Sequence, residues 1–231
     1  MFRSHRMSAL SNLNTHLKQY WELPHHNNPE LTTKLSQVQN WQKDRIRRTH
    51  AELFSQPKNK PMAEYFLNHL YGGDSLDQIV RQLEVIVPKA QKLEKLAPTA
   101  ALETGTLGVE TAITSTKLDL KLAQWLLDNN LEVNEDNMQA AYVAVNDEQA
   151  RRQQIEDLKQ VCYRSDKYLN SFILQKTFKL AKKQAYKRNL QPLYDFIDSG
   201  FAAMKPLKSV GSFIDPFCER ELQIIDQVHS A

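Results

Sequence analysis

The strongest candidates for a buried charged site are an arginine and an aspartate on two separate helical patterns. A stripe of apolar residues at helical spacing begins at Leu31 and turns polar at Gln42 and Arg45. Asp119 lies on a second stripe, made of small and apolar residues, that also carries Thr116. A carboxylate on such a stripe is rarely left unpaired, because burying a lone charge is costly. We therefore predict a buried Arg45–Asp119 pair with Gln42 and Thr116 as further polar partners.

Three interpretations of this pattern stay open at the level of sequence. The end of the helix that carries Arg45 emerges into solvent, or Arg45 and Asp119 form a structural salt bridge that fixes helix register. In the third interpretation the pair belongs to a small-molecule or enzyme site that also includes Tyr71. An enclosed polar cavity beside the pair would favour this third interpretation over the other two.

A block of basic residues is the second candidate site. Lys and Arg total 30 against 27 Asp and Glu, which gives a net charge of +3. Six of these cations form one block without any acid, so the rest of the chain has a net charge of −3; they are Lys176, Lys179, Lys182, Lys183, Lys187 and Arg188. Three interpretations of this face stay open. It is a solvated surface without a partner, or it binds an acidic macromolecule (protein or nucleic acid). A less favoured interpretation is that it lies on an anionic membrane surface.

The motifs of the common enzyme classes are absent from the sequence. It has no Gly-rich phosphate loop, no G-x-S-x-G elbow and no H-E-x-x-H. The adjacent His25 and His26 are interpreted as a solvated loop, and Cys162 and Cys218 as small buried hydrophobes. We predict no catalytic residue, metal site or cofactor, and favour a non-enzymatic interaction or scaffold protein over an enzyme.

Composition and periodicity predict an all-α protein. The 231 residues include only 6 Gly and 9 Pro, and apolar residues recur at helical rather than strand spacing. We expect a single-domain multi-helix bundle of about eight or nine helices over residues 29–231. A weakly ordered segment with one helix is expected over residues 1–28. No apolar run approaches the roughly 20 residues of a membrane span, and the N-terminus has no apolar signal core, so cytoplasm is the expected location.

The stretch from Pro61 to Asp74 predicts a short central helix. Apolar residues cover more than half of its circumference, which is typical of a helix with neighbours on several sides. Gly105 and Gly108, in the first half of a later helix, are expected to permit close approach of another backbone, and Gly200 to permit close packing.

Within this stretch, residues 65–72 (Tyr-Phe-Leu-Asn-His-Leu-Tyr-Gly) resemble the signature of the bacterial FFLEELY-motif proteins. Further pieces of the resemblance are Pro61, Val87-Pro88, Leu118-Asp119 and the segment 198–204. The copy departs from the signature at Tyr65, Asn68 and His69, so a role that rests on the two acidic positions does not carry over. The resemblance implies a cytoplasmic helical bacterial protein and brings no assigned activity.

Overall fold

The computed structural model of the chain describes residues 9–70, 74–88 and 99–230. These residues form eleven α-helices and no β-strand, which confirms the all-α class and corrects the expected eight or nine helices. The helices are α1 (Ala9–Trp21), α2 (Pro29–Thr49), α3 (Ala51–Ser55), α4 (Lys60–Tyr65), α5 (Asp74–Ile86), α6 (Thr99–Asp128), α7 (Glu135–Val145), α8 (Glu148–Leu169), α9 (Phe172–Lys187), α10 (Gln191–Met204) and α11 (Gly211–His229).

The sequence predicts one helix from Pro29 to about Ser55 and another from Asn134 or Glu135, loosened at Asn146-Asp147; each of these is divided in two, which accounts for the higher count. His50 leaves helical geometry between α2 and α3, with φ −108° and ψ 20°. Asn146 ends α7 in the left-handed conformation at φ 52°, which asparagine adopts more readily than most residues. The sequence indicates the second break, at Asn146-Asp147, whereas the first leaves the apolar periodicity on either side intact and gives no such signal.

The 30-residue helix α6 is the central element and packs against α1, α2, α7 and α8. Its Ile113 joins a buried apolar cluster with residues of α1 and α5. Leu122 and Leu126 join a second cluster with residues of α2 and α7. A third cluster is built from α4, α8, α10 and α11. The first two cores are thus joined by a single long helix.

The predicted central helix is α4, continued by one π-helical turn at Phe66–Leu70. Its Met62, Ala63, Tyr65, Phe66 and Leu67 are buried, as the apolar pattern indicates. The end of the predicted helix at Tyr71, Gly72 and Gly73 lies outside the described residues.

The expected solvated histidine loop is wrong. Residues Pro24–Asn27 form a 3-10 turn in which His25 is only 7% exposed. The ring of His25 lies 6.2 Å from that of Tyr20 and 3.9 Å from that of His26. Burial, together with the nearby His26, lowers the pKa of His25 to about 4, so the ring is neutral at physiological pH.

The two cysteines are free and buried, as expected. Over the residues that the structure describes, no helix is long and apolar enough to cross a membrane.

The glycines expected to permit close packing behave differently from one another. A Cβ atom at Gly200 would lie 2.8 Å from the hydroxyl oxygen of Tyr65, which donates a hydrogen bond to the carbonyl of Phe196 at 3.1 Å. A Cβ atom at Gly105 would meet nothing within 4 Å, which corrects the expected close approach there. Gly200 is therefore the position at which α10 meets α4 too closely for a side chain.

We predict that Gly200→Ala leaves the protein about 1–3 kcal/mol less stable than Gly105→Ala. Both changes gain the same helix propensity of about 1 kcal/mol, so the difference reports the overpacking against Tyr65 alone. Urea unfolding followed by circular dichroism measures both free energies. Equal stability of the two variants would show that Tyr65 does not pack against Gly200.

Candidate functional site

A buried ion pair joins α2 to α11. The Arg45 guanidinium donates from Nη1 to Glu221 Oε1 at 2.9 Å and from Nη2 to Glu221 Oε2 at 2.7 Å. The two side chains are 16% and 10% exposed, respectively. A bidentate pair of this kind fixes orientation as well as distance, because both guanidinium nitrogens bond the same carboxylate.

His50 completes the environment of the Glu221 carboxylate. Its Nε2 atom lies 2.7 Å from Glu221 Oε1, and its side chain is 2% exposed. Burial by itself would raise the pKa of Glu221, but the hydrogen bond with His50 and the charge of Arg45 lower it to about 2. Glu221 is therefore a fixed anion at physiological pH.

Gln42 extends the ion pair to two further helices. Its Oε1 accepts a hydrogen bond from Arg45 Nε at 3.2 Å. Its Nε2 donates to Asp119 Oδ1 at 3.3 Å on α6 and to the Tyr142 hydroxyl on α7. The amide is 1% exposed and bonded through both of its ends. A fully bonded polar chain therefore runs from His50 through Glu221, Arg45 and Gln42 to Asp119; we call it the polar chain.

Three of the predicted site residues, Arg45, Gln42 and Asp119, meet in this chain, with a different pairing from the expected one. The bidentate carboxylate of Arg45 is Glu221, where the sequence had suggested Asp119, and Gln42 stands between Arg45 and Asp119. The hydroxyl of Thr116 is buried but donates to the carbonyl of Ala112 in its own helix at 3.2 Å. The predicted Tyr71 lies outside the described residues.

Sequence reasoning missed Glu221, although a signal for it exists. Glu221 follows Phe217 by four residues and precedes Ile225 by four, so it lies on the apolar stripe of α11. This is the same kind of pattern that drew attention to Asp119. The sequence carries no such signal for His50, because its place beside Glu221 depends on the break between α2 and α3.

The sequence predicts one solvated charged face for Arg151 and Arg152, next to Glu148 and Glu156, and for Arg151 this prediction is wrong. Its side chain is 11% exposed and lies 3.8 Å from Asp119 and 3.4 Å from the carbonyl of Leu118. Its guanidinium carbon is 4.6 Å from the centre of the Tyr142 ring. Arg152 does lie at the surface and pairs with Glu148 and Asp226. The two neighbouring arginines thus have opposite environments.

The polar chain forms one wall of a cavity of about 370 Å³ between α2, α6, α7, α8 and α11. Gln42, Arg45, Tyr142, Arg151 and Glu221 line this wall. The remaining surface is mainly apolar and includes the buried Ile46, Phe66, Cys162 and Phe217. A cavity of this size falls in the range of roughly 300–1,000 Å³ that small-molecule sites occupy.

Polarity changes along the length of the cavity. At one end Gln154 Nε2 on α8 donates to Ser115 Oγ on α6 at 2.6 Å. Gln154 follows Arg151 by three residues, so Arg151 lies at the same end. At the other end Gly108 on α6 faces Val161 on α8, where an added Cβ would lie 3.8 Å from the valine side chain. The ten residues from Arg151 to Val161 rise about 15 Å along α8. The cavity is therefore an elongated space with a polar end and an apolar end.

The polar end faces the mouth of the cavity. Glu135, Gln139 and Gln227 line the cavity and are exposed, so the opening lies between the start of α7 and the end of α11. Cys162 lines the deep, apolar end, where burial and the neighbouring Cys218 raise the pKa of its thiol to about 12. The thiol therefore stays protonated and acts as an apolar wall. Within the described ranges no group of His, Cys, Asp and Glu is arranged to hold a metal ion.

The basic block lies on α9, away from the cavity, and its members Lys176, Lys179, Lys182, Lys183, Lys187 and Arg188 are all exposed. The sequence predicts an apolar side of this helix against the lysine face, formed by Phe172, Ile173, Leu174, Phe178, Leu180 and Ala181. Phe172, Ile173 and Leu180 are instead 80%, 74% and 72% exposed. Phe178 does face inward and stacks on Tyr194, with 4.4 Å between the ring centres. The outer face of α9 is therefore both basic and apolar.

We predict that Glu221→Gln lowers the stability at neutral pH by about 3–5 kcal/mol, because it leaves Arg45 buried without its charged partner. In the native protein this contribution is complete above pH 4.5 and is lost as the pH falls toward 2, since the folded pKa is the lower one. The stability gap between the two proteins should therefore narrow from pH 4.5 downward.

Thermal unfolding at pH 7, 4.5, 3.5 and 3 measures this gap. Glu219→Gln, an exposed change on the same helix, serves as the control and should alter stability by less than about 0.5 kcal/mol. A gap that stays constant down to pH 3 would contradict the assignment of Glu221 as a paired anion.

Comparison with known proteins identifies a family but no activity. No curated protein and no solved structure matches the chain. The resemblance of residues 65–72 to the FFLEELY-motif proteins stays a prediction. A family model described as a domain of unknown function matches residues 22–231, which is all but the first 21 residues. The chain therefore belongs to the DUF8198 family.

Proposed function

We propose that this protein is a non-enzymatic binding protein that holds a small amphipathic carboxylate in the cavity between its helices. The observation that carries this proposal is the cavity itself, an elongated space of about 370 Å³ with a bonded polar wall at its mouth and an apolar deep end. Ligand sites of soluble proteins have this composition, a mostly apolar surface with a few fixed polar groups. The resemblance to bacterial FFLEELY-motif proteins supports a cytoplasmic site of action.

The deep end favours an apolar ligand segment. Phe66 and Phe217 are 4% and 2% exposed, and their ring centres lie 4.8 Å apart. On the opposite side α6 presents Gly108 and Ala112 to the cavity, where their small size leaves room for a ligand. An alkyl or aromatic segment that enters this space gains about 25 cal/mol for each Å² of apolar surface removed from water.

The polar end favours a carboxylate on the ligand. Arg45 uses Nε, Nη1 and Nη2 on Gln42 and Glu221, so it serves to hold the wall. Arg151 lines the same polar wall on α8, where its guanidinium carbon lies 4.6 Å from the centre of the Tyr142 ring. A planar guanidinium matches the geometry of a carboxylate, so a ligand carboxylate at the mouth would meet Arg151 while Arg45 stays bonded to Glu221.

Three of the titrating groups that line the cavity suit binding better than catalysis. A general acid or base works best with a pKa near the operating pH. Glu221 is held ionised at a pKa of about 2, and burial raises the pKa of Tyr142 above its ordinary value. The Cys162 thiol, with a pKa of about 12, is a poor nucleophile. These three groups therefore shape and orient a ligand in our proposal.

We predict that Gly108→Leu weakens binding of dodecanoate at least tenfold, because the new side chain fills the deep end of the cavity. Gly105→Leu is the matched control, since it lies one helical turn earlier on α6 and points into open space. Both variants gain the same helix propensity of about 1 kcal/mol and should stay folded. Isothermal titration calorimetry gives the dissociation constants. Dodecanoate binding by Gly108→Leu at the native affinity would rule out this cavity as the site.

We also predict that Arg151→Gln removes the preference for a carboxylate. The native protein should bind dodecanoate more tightly than dodecanol, by about tenfold or more, because a hydrogen bond to a charged group contributes about 1.5–3 kcal/mol. In Arg151→Gln the two affinities should become similar, with that for dodecanol unchanged.

The neighbouring Arg152→Gln is the control for this second test, as Arg152 lies at the surface and pairs with Glu148 and Asp226. It should keep the native preference for dodecanoate. If Arg151→Gln also keeps that preference, Arg151 is not the group that meets the ligand carboxylate.

A further inference from the structure

The outer face of α9 combines lysines with large apolar side chains. At 100° per residue, Lys176, Lys179, Lys183 and Lys187 fall within an arc of about 80°, and Ile173 and Leu180 form a row beside them. Phe172 lies within the lysine arc itself. The segment 172–188 contains no acidic residue. The helix therefore presents a continuous surface that is cationic and apolar at once; we call it the α9 face.

The orientation of α9 is fixed by its inner side. Phe178 stacks on Tyr194 and meets Phe201 edge to face at 5.4 Å between ring centres. The Ser171 hydroxyl caps the start of the helix by accepting a hydrogen bond from the Leu174 N–H at 3.5 Å. Rotation of α9 to bury Ile173 and Leu180 would pull Phe178 out of this aromatic packing. The exposure of the apolar row is thus a property of the folded chain.

Three exposed side chains of this size in one patch are unusual for a surface that meets only water, and such patches mark interaction sites. The lysines restrict the partner to an anionic one. A nucleic acid would use the lysine row, but its phosphates gain nothing from Ile173 and Leu180. An anionic bilayer uses both components, since its headgroups attract the lysines and its acyl boundary takes up the apolar side chains.

We propose that the α9 face docks on the surface of an anionic lipid bilayer, with Phe172, Ile173 and Leu180 inserted among the headgroups and Lys176, Lys179, Lys183 and Lys187 on the lipid phosphates. The helix lies parallel to the membrane plane and does not cross it. Its 16 residues span about 24 Å along the membrane plane. The cavity plays no part in this contact.

The test is co-sedimentation of the full chain with vesicles. One set is made of phosphatidylcholine alone, and the other contains 30% phosphatidylglycerol. We expect binding to the anionic vesicles to be at least tenfold tighter than to the neutral ones, and to weaken as salt rises. Equal binding to both sets, or binding to neither, would overturn the proposal.

Two variants separate the charged and apolar contributions. The quadruple change of Lys176, Lys179, Lys183 and Lys187 to Gln should reduce binding to anionic vesicles at least tenfold. The double change Ile173→Gln with Leu180→Gln should also reduce binding to anionic vesicles at least tenfold, whereas this change would not affect the binding of a nucleic acid. The proposal would be overturned if the double variant bound anionic vesicles like the native protein. It would also be overturned if the quadruple variant lost binding to single-stranded DNA but kept its binding to vesicles.

Matched controls come from exposed residues elsewhere on the surface. Lys205→Gln with Lys208→Gln removes two exposed cations outside α9, and Val143→Gln removes an exposed apolar side chain on α7. Both should bind anionic vesicles like the native protein. Gly108→Leu should also bind them normally, so a failure of the proposed cavity and a failure of the α9 face give different results.

Discussion

The buried ion pair between Arg45 and Glu221 is the interaction on which the arrangement of the helices depends. Removing two charges from water is costly, and the cost is recovered only when every remaining donor and acceptor is bonded. Here His50 bonds the carboxylate and Gln42 bonds the guanidinium. Since these side chains come from α2, α11 and the break after α2, the pair is favourable in one relative position of these elements. The same bonds extend through Gln42 to α6 and α7.

This constraint explains how a cavity persists inside a helical bundle. An apolar gap between helices normally closes, because close packing gains dispersion contacts. The polar chain resists closure at one end, since a shift of α2 or α11 would break short bonds to Glu221. At the other end, Gly108 and Ala112 on α6 provide too little side chain to fill the space against α8. A rigid polar wall and a helix face of small residues together produce an elongated space with two chemically different ends.

The sequence reveals the helices of this protein better than it reveals which side chains pair between them. Apolar spacing of about 3.6 residues is a local property, so the all-α class and the buried face of α4 could be predicted. The carboxylate of Arg45 lies 176 residues away, and its identity depends on how α11 packs against α2. The outer face of α9 was misjudged for a related reason. Periodicity shows that Ile173 and Leu180 share a row, but only the packing of Phe178 shows that this row faces outward.

A crystal structure of the protein with 12-bromododecanoate would test the central claim most directly, because the anomalous signal of bromine locates the end of the ligand tail. We expect one bromine peak at the deep end of the cavity, between Phe66, Val161 and Phe217, with the ligand carboxylate within hydrogen-bonding distance of Arg151. The Arg45–Glu221 pair should be unchanged. A bromine peak outside the cavity, or a cavity closed by movement of α8 onto α6 with no ligand inside, would contradict it.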